Sequence, residues 1–158
     1  MNWQTAKINK NGFKSLFYGV LLSACIWASI IAPSSVHAAQ FETLGKWDVH
    51  YIVLNSTFLQ PNIAQQYGIQ RSKYNAFVNI SVLDHNSQEA QDVVVQGVAK
   101  NLLGVQKTLE FEQVKEQQAI YYLAQLPFDH RETYQFTIKV FKGNEQQTLN
   151  FKQKLLID

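Results

Sequence analysis

Beyond residue 46 the apolar positions of this chain recur at every second residue, the period of strands. Over residues 46–58, Trp47, Val49, Tyr51 and Val53 fall on one face. Over residues 73–83, Val78, Ile80 and Val82 alternate with Asn79 and Ser81, and Asp84-His85-Asn86-Ser87 follows as a run of turn formers. A third run covers residues 93–99. In the fourth, 108–114, Leu109 and Phe111 oppose Glu110 and Glu112. Residues 119–126 (AIYYLAQL) are apolar on both faces and predict a strand in the middle of a sheet. Tyr134, Phe136, Ile138 and Val140 mark the sixth strand, and Gly143-Asn144 makes a tight hairpin turn into the seventh, residues 148–156. Only residues 61–67 (PNIAQQY), ended by Gly68, predict a helical turn. About seven short strands with turns between them predict an all-β domain, an antiparallel immunoglobulin-like β-sandwich. The same alternation fits a small β-barrel, which is the alternative. The Cys and core-Trp spacing of antibody domains is missing, so only the layered architecture is expected.

The first 38 residues follow a different pattern. Residues 1–15 are polar and carry Lys7, Lys10 and Lys14 without an acidic residue; residues 16–32 are apolar and uncharged. Pro33-Ser34-Ser35 then breaks any helix, and Val36-His37-Ala38 offers a small-residue exit. A positive head, an apolar middle and such an exit predict a secretory signal, cut after Ala38, with residues 39–158 as one periplasmic domain. The apolar run is long enough for a short membrane span, but the Pro-Ser-Ser break and the exit point to removal, and no stable membrane anchor is expected. Leu22-Ser23-Ala24-Cys25 resembles a lipobox, which makes a lipoprotein anchored through Cys25 the alternative. The residues after it (IWASII) are as apolar as those before it, so the run reads better as one continuous signal core.

Composition narrows the functional classes. Of 158 residues, removal of 38 leaves 120, enough for one domain to bury a core without staples. Cys25 is the only Cys, so the exported domain has no disulfide and must be stabilised by its core. Three of the 14 Lys and Arg leave with the signal, so 11 face 12 acidic residues and the charge passes from +2 to about −1. Nucleic acid is excluded as a partner on that balance.

Little chemistry is carried by motif. His50, His85 and His130 stand singly, with no metal-ligand spacing, and no cofactor is implied. No nucleophile elbow is present, and Asp129-His130-Arg131-Glu132 reads as a solvated turn. Asn55-Ser56-Thr57 and Asn79-Ile80-Ser81 match glycosylation acceptors only formally. The retained segment is residues 67–73, where Gly68 implies a positive φ and Tyr67, Arg71 and Lys73 gather a phenol and two cations. These three form the candidate binding surface, suited to a carboxylate or phosphate. The alternative is a structural cap in which Arg71 pairs with a buried carboxylate.

The stretches HYIVLNSTFL, YGIQRSKYNAFVNISVL, NLLG, LEFEQVKE and AIYYLAQL resemble an uncharacterised family of exported Gram-negative proteins, domain of unknown function 4426. The similarity runs from about Phe41 to Lys154. Glu116-Gln117-Gln118 departs from the Gly-containing turn of that family. The resemblance implies an envelope location and the fold, and brings no site residues. The expected function is therefore a non-enzymatic binding or assembly module meeting an envelope protein or an anionic ligand. A small envelope hydrolase or a ligand carrier are the alternatives.

Overall fold

A computed structural model describes residues 40–129 and 131–157. The expected signal segment with Cys25, and His130, lie outside the described residues. Nine strands form: β1 (Gln40–Leu44), β2 (Trp47–Asn55), β3 (Asn75–Asp84), β4 (Val94–Asn101), β5 (Gln106–Leu109), β6 (Glu112–Glu116), β7 (Ala119–Pro127), β8 (Glu132–Lys142) and β9 (Glu145–Leu155). They pair antiparallel into a larger sheet of five strands, β1-β2-β3-β7-β6, and a smaller one of four, β5-β4-β8-β9. The two layers make a sandwich and do not close into a barrel.

Inward residues of both sheets fill the space between the layers. Trp47, Val49, Val78, Ile80 and Val82 from the larger sheet meet Tyr134, Phe136, Ile138, Val140 and Leu149 from the smaller one, all essentially without exposure. Tyr51 stacks on Phe151 with ring centroids 4.3 Å apart, and Phe151 stacks on Phe136 at 4.7 Å. The alternation in sequence is thus the alternation between core and outside, as the pleat requires.

Two strands exceed the seven expected. Gln40–Leu44 is an edge strand exposed over most of its length, so burial never wrote a period into it. The single run predicted over 108–114 is two strands: Leu109 pairs with Gly97 in the smaller sheet, while Glu112 pairs with Leu123 in the larger one. The chain changes layer at Glu110-Phe111. Gly97 lies beneath that crossing, where a Cβ would come within 2.7 Å of Ile138 Cδ1 and 2.9 Å of Phe111 Cε2.

The ends of the sandwich differ. At the hairpin end lie the β1–β2, β6–β7 and β8–β9 turns and the β3–β4 loop. Gly143 has φ 60° there, as the predicted hairpin requires. The helical end carries the β2–β3 connection with helix α1 (Pro61–Gln66), the β4–β5 and β7–β8 loops, and the residues after β9. Helix α1 has Pro at its start, and Gly68 beyond its end has φ 62°. The helical end is tied together by Asn55 Nδ2 donating to the Leu156 carbonyl at 2.6 Å and by the Phe128 N–H donating to the Tyr74 carbonyl at 2.9 Å. Among the described residues no helix is long and apolar enough to cross a membrane.

Candidate functional site on the outer face of the larger sheet

The outward positions of an ordinary surface sheet are polar, but here Ile52, Leu54, Phe77, Leu83, Tyr121 and Leu123 point away from the core. Helix α1 and the residues after it cover part of this face. Ile63, Tyr67 and Ile69 stand over Phe77, Val114 and Leu123. Gln125 staples the segment down: its Oε1 accepts from the Gln70 N–H at 2.8 Å and Asn75 Nδ2 at 2.9 Å, and its Nε2 donates to the Gly68 carbonyl at 3.3 Å. The Tyr67 hydroxyl donates to Glu116 Oε1, and that carboxylate raises the phenol above its ordinary pKa.

The rest of the face is an open groove of about 500 Å³, with His50, Ile52, Asn79, Ser81 and Tyr121 along its floor. Gln88 and the Gln117-Gln118 turn stand at its rim. Asn79, Glu116 and Tyr121 line both this groove and the depression under α1. His50 Nε2 and Asn79 Oδ1 are enclosed and have no hydrogen-bond partner. Register makes them neighbours, since His50 pairs with Ser81 and Ile52 with Asn79; residues diagonal on one face lie about 7–8 Å apart. Phe41 stacks on the His50 ring at 4.9 Å and fixes its plane. Among the described residues, the non-glycine positions with positive φ are Gln88 (58°) and Gln117 (51°), and both line this groove. Such backbone is costly and tends to gather at ligand sites.

At the hairpin end of the groove, Asp48 is 4% exposed and fully engaged. Thr43 Oγ1 donates to its Oδ1 at 2.7 Å, Gln88 Nε2 to its Oδ2 at 2.8 Å, and His85 Nδ1 lies 2.9 Å from Oδ1. These bonds, led by Thr43, hold the carboxyl at a pKa of about 2. With both oxygens spent, Asp48 fixes the β3–β4 loop and Gln88 against the groove. The Ser87 hydroxyl of the same loop is turned to Asp84 Oδ1 at 3.4 Å. Among the described residues no group of three or more His, Cys, Asp or Glu gathers to hold a metal.

The three sequence candidates are split. Tyr67 belongs to the covered part of this face. Exposed Arg71 donates from Nη2 to the Thr57 carbonyl at 2.9 Å at the helical end, and no ion pair among the described residues includes it. Lys73 Nζ lies 5.1 Å from the Tyr74 ring centroid. The capping alternative for Arg71 therefore has a backbone carbonyl where a buried carboxylate was expected. His50 and Asn79 escaped sequence reasoning because lone polar residues in outward positions read as solvated; the available signal was the apolar character of both faces in AIYYLAQL.

The family model for domain of unknown function DUF4426 matches residues 41–158. The chain belongs to that family. A crystal structure of a DUF4426 family protein from Pseudomonas aeruginosa is 43% identical, with a TM-score of 0.67 over 76% of this chain and 96% of that one. FetP from uropathogenic E. coli, recombinantly expressed in the periplasm of E. coli, is 10% identical with a TM-score of 0.54, covering 75% of this chain and 94% of FetP. That likeness is one of fold. No curated protein matches the chain.

Proposed function

We propose that this DUF4426 protein is an exported, non-enzymatic binding module that receives a small polar ligand in the groove on the outer face of the larger sheet. The observation that carries this reading is the pair of enclosed, unpartnered atoms, His50 Nε2 and Asn79 Oδ1. An enclosed polar group without a partner costs about 1–3 kcal/mol, and two just beneath one groove floor are supported if a ligand that displaces the side chains over them supplies the missing bonds. Asn79 Oδ1 calls for a donor on that ligand, and His50 Nε2 meets a donor or an acceptor according to its tautomer. Ile52, Leu83 and Tyr121 give the flanking apolar contact.

The test is a matched measurement of ligand and stability. Native mass spectrometry of protein recovered from the bacterial envelope is expected to show a small-molecule adduct that is missing from Asn79→Leu and His50→Phe. Ligand-free Asn79→Leu is expected to gain about 1 kcal/mol in urea unfolding, since it removes an unpaired acceptor. A bare parent protein together with a destabilised Asn79→Leu overturns the reading.

A further inference from the structure

The helical end gathers what the rest of the surface lacks. Of the ten large apolar side chains exposed among the described residues, six lie there: Phe58, Tyr74, Leu102, Leu103, Val105 and Leu156. Leu102 and Leu103, at the tip of the β4–β5 hairpin, are 82% and 89% exposed. The tip is a built loop. Asn101 Oδ1 accepts the Leu103 N–H at 3.1 Å and the Val105 N–H at 2.9 Å, the Gly104 N–H donates to the Asn101 carbonyl at 3.0 Å, and Gly104 has φ 86°. Both leucines are thus held outward while the amides beside them are already satisfied.

Charge is segregated along the same axis. Arg71, Lys73, Lys100, Arg131 and Lys154 are exposed at the helical end, and none joins an ion pair among the described residues. Among the described residues, the exposed carboxylate beside them is Asp129. Glu132 is half-buried and spent on Asn101 Nδ2, the Tyr134 hydroxyl and the Asp129 N–H. At the hairpin end Lys46 is neutralised by Glu145 at 2.6 Å and Lys115 by Asp92 at 2.7 Å, while Lys142 donates to Gln91 Oε1 at 2.7 Å.

We infer that the helical end docks on an anionic lipid surface, with Leu102 and Leu103 entering the acyl boundary and the flanking cations meeting lipid phosphates. Two signals are what reversible membrane association needs, apolar insertion and electrostatic attraction, since either alone is weak. The N–H groups of Leu103, Gly104 and Val105 are bonded within the loop, which lowers the desolvation cost of seating the tip at the acyl boundary and favours lipid over an acidic protein as the occupant. This surface is separate from the groove and does not depend on a ligand there.

The experiment is sedimentation of the exported protein with vesicles of phosphatidylglycerol and phosphatidylethanolamine, against vesicles of phosphatidylcholine. Binding is expected to the anionic vesicles and to weaken with added salt. The pair Leu102→Ser and Leu103→Ser is expected to lower it at least tenfold, and each of Arg71→Gln and Lys73→Gln about fivefold at low salt. Because these side chains are exposed, the variants fold as the parent does. No binding to anionic vesicles, equal binding to phosphatidylcholine, or parent-like binding by the leucine pair overturns the inference. Crosslinking of the helical end to an envelope protein with no vesicle binding assigns the surface to a protein partner and also overturns it.

Discussion

Asp48 shows how much one enclosed carboxylate organises. Its three side-chain partners come from β1, the β3–β4 loop and that loop's positive-φ residue, Gln88. A carboxyl held at a pKa of about 2 contributes stability that is fully present above its unfolded value near 4 and is lost as pH falls through 2. The urea midpoint of the parent is therefore expected to exceed that of Asp48→Asn at neutral pH, with the gap closing between about pH 4 and pH 2. A gap that persists at pH 2 would mean the bonds do not depend on ionisation. Arg71 is the contrasting case. Exposed and bonded to a single backbone carbonyl, it leaves no buried charge behind when removed. Arg71→Ala is expected to cost less than about 1 kcal/mol in thermal unfolding, where loss of a buried carboxylate's partner would cost about 3–5 kcal/mol.

Among the elements, those whose two faces differ in burial were legible in the chain. Trp47/Val49/Tyr51/Val53 in β2 and Val78/Ile80/Val82 in β3 announce their strands, and Pro61 and Gly68 bracket helix α1. The elements that escaped have no such contrast. Strand β1 is almost wholly exposed, and Leu109 and Phe111 alternate with Glu110 and Glu112 straight through the change of sheet, so that period does not register the crossing. The candidate site was hidden for a related reason: a groove floor is set by pairing between strands, and His50 and Asn79 become neighbours only through the β2–β3 register. Tyr67 stands out in the chain because Gly68 punctuates it, although the contact that holds its hydroxyl, Glu116, is 49 residues away. The crossing itself can be tested at Gly97, whose missing Cβ lets Phe111 and Ile138 close over it. Gly97→Ala puts a methyl into space already filled and is expected to cost about 1–3 kcal/mol in urea unfolding. A neutral result would mean that the crossing chain yields, and that the two sheets are less tightly coupled than their packing implies.

At the scale of the whole molecule, the groove and the cationic end both presume a domain free to meet its surroundings, and that turns on the N-terminal segment. We expect the exported protein to begin at Ala39. Strand β1 is already paired at Gln40, which meets Tyr51 in register, so a cut after Ala38 would remove the apolar run while leaving the first strand whole. Without Lys7, Lys10 and Lys14, five of the 11 cations that remain are the exposed ones of the helical end, Arg71, Lys73, Lys100, Arg131 and Lys154. Intact-mass analysis of protein from the periplasmic fraction is expected to give the mass of residues 39–158 and no thiol. That chain should unfold at the same temperature with and without reductant, because residues 39–158 contain no Cys. A mass carrying a diacylglyceryl Cys25, or the uncut apolar run, would make membrane attachment a property of the N-terminus. Vesicle binding would then have to survive Leu102→Ser and Leu103→Ser, and that outcome separates an anchored domain from one that finds the lipid surface with its own loops.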